Sequence, residues 1–140
     1  MEEIFRQLFK NAPPKEENGI YYFGDENDGD CFRQSDIVSW QNGALSQNWR
    51  TRKLLENAAS RHVADEIIAN NEYVVDLACG PGMGFIPTIK QISPSFRCLA
   101  TDANPFVLNE WKQYLQNNEN DSRIDFAQFS AFNLPFKSNT

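Results

Sequence analysis

The chain carries a single histidine, His62, and only three cysteines, Cys31, Cys79 and Cys98, far apart and without a CxxC pair. Zinc ligands come at short, regular spacings, so this set defines no metal site, and no metal-ligating residue is assigned. Reduced thiols in a cytoplasmic protein are the simplest account of such cysteine use. Basic charge is scarce as well: 13 Lys and Arg stand against 19 Asp and Glu, a net charge of −6. Nucleic acid and anionic membranes are bound by clustered cations, so neither is expected as a partner. The one short basic run, "NWRTRK" at residues 48–53, reads as the solvated first turns of a helix. Long apolar runs are missing too. The N-terminus "MEEIFRQLFKN" is charged and too broken for a signal peptide, and no stretch approaches a membrane span.

Bulky apolar material, by contrast, is plentiful. Hydrophobic residues make up 41% of 140, including eleven Phe and three Trp. A chain of this size can bury ~68–70% of its unfolded surface around one core. The acidic knot "GDENDGD" at residues 24–30 invites comparison with a calcium loop. Counted from Asp25, however, its glycine arrives one residue early at Gly29, and Asp36 rather than Glu holds the twelfth position. It reads as a solvated loop.

Periodicity places the elements. Residues 2–11 suit a short amphipathic helix with Ile4, Phe5, Leu8 and Phe9 on one face, broken by "NAPPKEENG" and followed by a brief aromatic run at Tyr21–Phe23. A longer helix is expected over 49–70, with Leu54, Leu55, Ala58, Ala59, Val63 and Ile67 as its apolar stripe and His62 at the core edge. Beyond residue 71 the rhythm changes. Strands are predicted at 73–77, 96–101 and 124–129, separated by helices at 83–92 and from Pro105 to about Leu115. Asn104-Pro105 supplies an N-cap and first helical residue, and Val107, Leu108, Trp111 and Leu115 point inward. Strand–helix–strand–helix–strand, with no hairpin signal, implies a parallel α/β sheet with flanking helices. A mainly helical N-terminal segment, 1–70, precedes the α/β part, 71–140.

The chemistry concentrates at "YVVDLACGPGMGF", residues 73–85, where an apolar strand ends in Asp76 and three glycines follow in five positions. Glycine reaches positive φ and lets a ligand approach the backbone. A glycine turn between a first strand and a helix is where a Rossmann-like sheet binds a nucleotide. The dinucleotide pattern G-x-G-x-x-G fails, because the sixth position from Gly80 holds Phe85. A nicotinamide-dependent oxidoreductase is therefore disfavoured.

"VVDLACGPGMG" resembles instead the first motif of class I S-adenosylmethionine-dependent methyltransferases, with Ala78 in place of the first glycine. "LATDANP" puts Asp102 at the end of the second strand, and "FSAFNLPF" resembles the "DAxxLPF" segment of the small-molecule subgroup, with Ser130 in place of its acid. The resemblance covers residues 73–136. It implies a Rossmann-like fold and S-adenosyl-L-methionine as cofactor. Asp76 would act near the methionine end or hold the loop, and Ala78, Cys79, Gly80, Pro81 and Gly82 would shape that loop around the methionine and ribose. Asp102 would accept from the ribose hydroxyls, while Ala103, Ser130, Ala131 and Phe132 would border the adenine. The implied reaction is methyl transfer to a small-molecule acceptor, with no catalytic base assigned. A non-catalytic cofactor-binding module keeps the same residues and remains the alternative. Tyr21, Tyr22, Trp40 and Trp49 either pack in the core or form a lid. The family's sheet continues past its third strand, whereas this sequence stops at "LPFKSNT". The expectation is an incomplete sheet with the 73–77 strand at an edge, prone to self-association and inactive by itself.

Overall fold

The three apolar runs after residue 71 form the strands expected of them. In the computed structural model, which describes residues 3–24, 57–70, 73–80, 93, 95–118 and 122–138, they pair in parallel. The acidic knot at 25–30, Cys31, Trp40, Trp49, the basic run, Leu54, Leu55, Pro81, Gly82 and the helix expected at 83–92 lie outside the described residues.

Eight elements are described in chain order: α1 (Glu3–Leu8), β1 (Lys15–Glu17), β2 (Ile20–Tyr22), α2 (Ala58–Asn70), β3 (Tyr73–Leu77), β4 (Arg97–Asp102), α3 (Pro105–Asn118) and β5 (Ile124–Gln128). The sheet order is β1-β2-β5-β4-β3. Val75 aligns with Leu99 and Leu99 with Asp125. Side chains alternate along each strand. Cys98, Ala100, Ile124 and Phe126 therefore share one face with Ala64 of α2 and with Leu108 and Trp111 of α3. Leu99 and Ala127 share the other with Phe5, Phe9 and Phe129. Burial on both faces is why the middles of β4 and β5 are largely apolar rather than strictly alternating.

α3 starts where its sequence says it should. The Asn104 Oδ1 accepts the Phe106 amide at 2.9 Å, and Pro105 occupies a position whose amide would have no helical partner. Val107, Leu108, Trp111 and Leu115 are all buried, and the Trp111 ring meets Phe126 edge-on at 5.4 Å. Each such side chain contributes about 1.5–3 kcal/mol by leaving water. In α2, capped by Asn57 onto the Ser60 amide, the expected stripe is displaced. Ala58, Ala59 and Val63 face outward, as does His62, and the inward set is Ala64, Ile67 and Ile68. Both sets have helical spacing, and they differ by the rotation between neighbouring residues.

Among the described residues five strands are present where three were expected. The additional pair is an antiparallel hairpin in which Lys15 faces Tyr22 and Glu17 faces Ile20. Its two-residue turn, Asn18-Gly19, has φ of 52° and 69°. A hairpin twist demands such left-handed values, and Asn-Gly supplies them at little cost. β2 then extends the sheet parallel to β5, with Ile20 beside Phe126 and Tyr22 beside Gln128. Lys112 of α3 donates to the Gly19 carbonyl at 2.7 Å and holds the turn down.

α1 covers the face opposite α3. Phe5 is fully buried, and Phe9 stacks on Phe23 at 4.3 Å and on Phe136 at 5.3 Å. Two backbone bonds clasp this segment to the chain after β5: Lys10 N to Pro135 O at 2.9 Å, and Lys137 N to Leu8 O at 2.8 Å. Tyr21 and Tyr22 are buried in the two cores, so they pack and do not form a lid.

Candidate functional site

Parallel strands direct their carboxyl ends, and the loops that follow, to one rim of the sheet. Leu77 pairs with Thr101 and Asp102 with Gln128, so the ends of β3, β4 and β5 stand in a row. The ladder carries on past them through Cys79 N to Thr101 O at 2.8 Å and Phe129 N to Asp102 O at 3.2 Å.

The loop after β3 turns sharply. Ala78 has a φ of 56° and Gly80 of 59°. The first is the position at which the methyltransferase motif carries glycine, and the left-handed backbone explains that preference. Ala78 is therefore a strained residue of the turn. At Gly80 a Cβ would point into open space, with nothing within 4 Å among the described residues.

Asp102 joins the two halves of the site. Its Oδ2 accepts the Gly80 amide at 3.0 Å, and its Oδ1 accepts the Asn104 amide at 2.9 Å. One carboxylate thus fixes the glycine loop and the entry to α3. A carboxylate has about four acceptor positions, so each oxygen keeps one for a further donor. Asp76 is partly buried beside it. Burial, and then the Asp102 charge, hold the Asp76 carboxyl above its ordinary value of 3.8. The rim is negative.

Cys79 is buried in the core and its thiol is pushed well above its ordinary value by burial, with Asp76 and Asp102 adding to the effect. A thiol so held stays protonated and packs rather than attacks. Ala103 is half-buried next to Asp102. Ser130 follows one residue after Phe129, and its Oγ accepts the Phe132 amide at 3.3 Å while its carbonyl accepts Asn133 N at 2.9 Å. It makes a turn. That turn leaves Ala131 exposed and Phe132 wholly exposed.

Two supporting residues escaped the motif search. Thr101 Oγ1 donates to the Asp76 carbonyl at 2.9 Å, fixing the end of β3. Gln128 has no exposed surface; its Nε2 donates to the Ala103 carbonyl at 3.0 Å, and its Oε1 accepts the Gly24 amide at 3.2 Å. The available signal was a polar residue inside the apolar run "IDFAQF".

The family model described as the ubiE/COQ5 methyltransferase family matches residues 34–140. No curated protein matches the chain.

Proposed function

The chain belongs to the ubiE/COQ5 methyltransferase family, and on that footing we propose that it binds S-adenosyl-L-methionine across the carboxyl ends of β3 and β4 and methylates a small-molecule acceptor. The observation that carries this reading is the bridge from Asp102 to Gly80 beside a second carboxylate, Asp76.

A pair of carboxylates attracts a cation and repels an anion at short range. S-adenosylmethionine is cationic at its sulfonium and its amino group. A dinucleotide brings a pyrophosphate, which needs free loop amides, and here the Gly80 amide already donates to Asp102. The geometry fits the sulfonium compound better. The remaining acceptor positions of Asp102 suit a pair of ribose hydroxyls. Asp76, Ala78 and Cys79 complete the loop side of the site, and Pro81 and Gly82 are assigned to it from the motif alone. Ala103, Ser130, Ala131 and Phe132 form the adenine side, with the Gln128 side chain fixing the Ala103 carbonyl.

When bound, the cofactor supplies a methyl group that is already electrophilic. The protein's part is then to hold donor and acceptor in line and to exclude water. No residue is assigned as a base.

The competing oxidoreductase reading is tested by competition. NAD and NADP, added to micromolar levels and above, are expected to leave bound S-adenosylhomocysteine in place. Displacement at those levels would reverse the preference.

A further inference from the structure

On the sheet face opposite α3, the α1 segment, the loop after it and the β1–β2 hairpin line a half-open cavity of about 480 Å³. Small-molecule sites occupy ~300–1,000 Å³, so the size suits a ligand of modest dimensions. The lining has two chemistries. Phe9 and Tyr21, both nearly fully buried, give it aromatic surface. Arg6, Lys10 and Lys137 give it three cations, against one acid, Glu16.

That balance is the reverse of the chain's, in which acids outnumber bases by 19 to 13. Glu16 stands opposite Tyr21 in the hairpin register. Burial, and then the neighbouring Glu16 charge, hold the Tyr21 hydroxyl above its ordinary value. The cations come from two separated stretches, Arg6 and Lys10 from the N-terminal segment and Lys137 from the chain after β5. Those are the two sides of the backbone clasp between Leu8–Lys10 and Pro135–Lys137. Strands β5 and β4 separate β2 from β3, so the cavity is distinct from the rim that carries Asp76.

We infer that this cavity is a second binding site, for a small organic anion whose carboxylate or phosphate is held by Arg6, Lys10 and Lys137 and whose apolar body lies on Phe9 and Tyr21. Guanidinium and ammonium groups give charge-assisted hydrogen bonds to such anions, and Arg binds them in a forked geometry. An occupant would tie the two sides of the clasp together, and it would stabilise the fold by mass action.

The test uses 2-naphthyl phosphate as probe, with inorganic phosphate and 2-naphthol as its two halves, by calorimetry at low salt. Saturable binding of the probe is expected at millimolar concentrations or below. Each half alone should bind about tenfold more weakly or worse, and Arg6→Gln/Lys10→Gln should weaken the probe about fivefold or more, as expected for lost charge-assisted bonds on an exposed rim. A thermal melt checks that the double variant folds; should it not, Lys137→Gln is read in its place. Naphthol binding as tightly as the probe would remove the anion from the proposal, and phosphate doing so would remove the aromatic surface. No saturable binding, or binding indifferent to the substitutions, would overturn it altogether.

Discussion

Ala78 shows how one residue can carry both the motif and its strain. Its φ of 56° lies in the left-handed region, which costs an L-residue roughly 1–2 kcal/mol. Glycine would relieve that cost but give back about 0.4–1 kcal/mol through the freer unfolded chain. Ala78→Gly should therefore stabilise the protein by about 0.5–1 kcal/mol in urea denaturation. A destabilised variant would mean that the alanine methyl makes a contact worth more than the strain. Asp76 is a second residue held at a cost. Burial and Asp102 raise its folded-state pKa above 3.8, so the folded protein holds that proton more tightly than the unfolded chain does. Its favourable contribution is complete below 3.8 and is lost as the pH rises through the raised value. Asp76→Asn should accordingly raise the thermal midpoint at neutral pH, with the gain shrinking in acid. A lower midpoint at neutral pH would show that the ionised carboxylate is stabilising. That Asp76 and Asp102 stand at strand ends was legible in the sequence, because the apolar runs and glycine spacing locate those ends. Thr101 and Gln128 were not, since their work is to bond backbone groups on neighbouring strands, and no spacing along one chain reports on that.

At the scale of elements, what could be read depended on whether local signals agreed. For α3, cap, proline and apolar stripe all pointed to one start and one inward face, and the structure has both. In α2 two stripes competed at helical spacing, and only the tertiary packing of Ala64, Ile67 and Ile68 decides between them. The hairpin had a strong turn signal in Asn18-Gly19. Its strands, however, are three residues each, and β1 is the exposed "KEE", so neither the length nor the pattern of a strand stood out. Gly19 makes the turn testable. A Cβ there would run into the Lys112 Nζ, but a lysine terminus can move aside, so the left-handed φ of 69° sets the cost. Gly19→Ala should lose about 1 kcal/mol, the strain less the gain from a stiffer unfolded chain. A neutral or stabilising result would mean that the turn changes type at no cost.

For the molecule as a whole, the N-terminal elements build on the β5 side of the sheet, and β3 ends the strand order on the other side. The aromatic group of Phe9, Phe23, Phe129 and Phe136 fastens α1 and the hairpin to the chain that follows β5. That same chain forms the Ser130–Asn133 turn. The described part of the N-terminal segment thus steadies one border of the candidate site. Among the described residues no helix is long and apolar enough to cross a membrane.

The central claim is that the rim formed by Gly80 and Asp102 binds the methyl donor, and calorimetric titration of S-adenosylhomocysteine into the parent protein and Asp102→Ala tests it most directly. Asp102 also holds two backbone amides, so a thermal melt must first show that the variant is folded at the titration temperature. The parent should bind, and the variant should lose about 1.5–3 kcal/mol of affinity, the usual worth of hydrogen bonds to a charged group. A folded variant with the parent's affinity would take Asp102 out of the site, and a parent that does not bind S-adenosylhomocysteine at all would contradict the account.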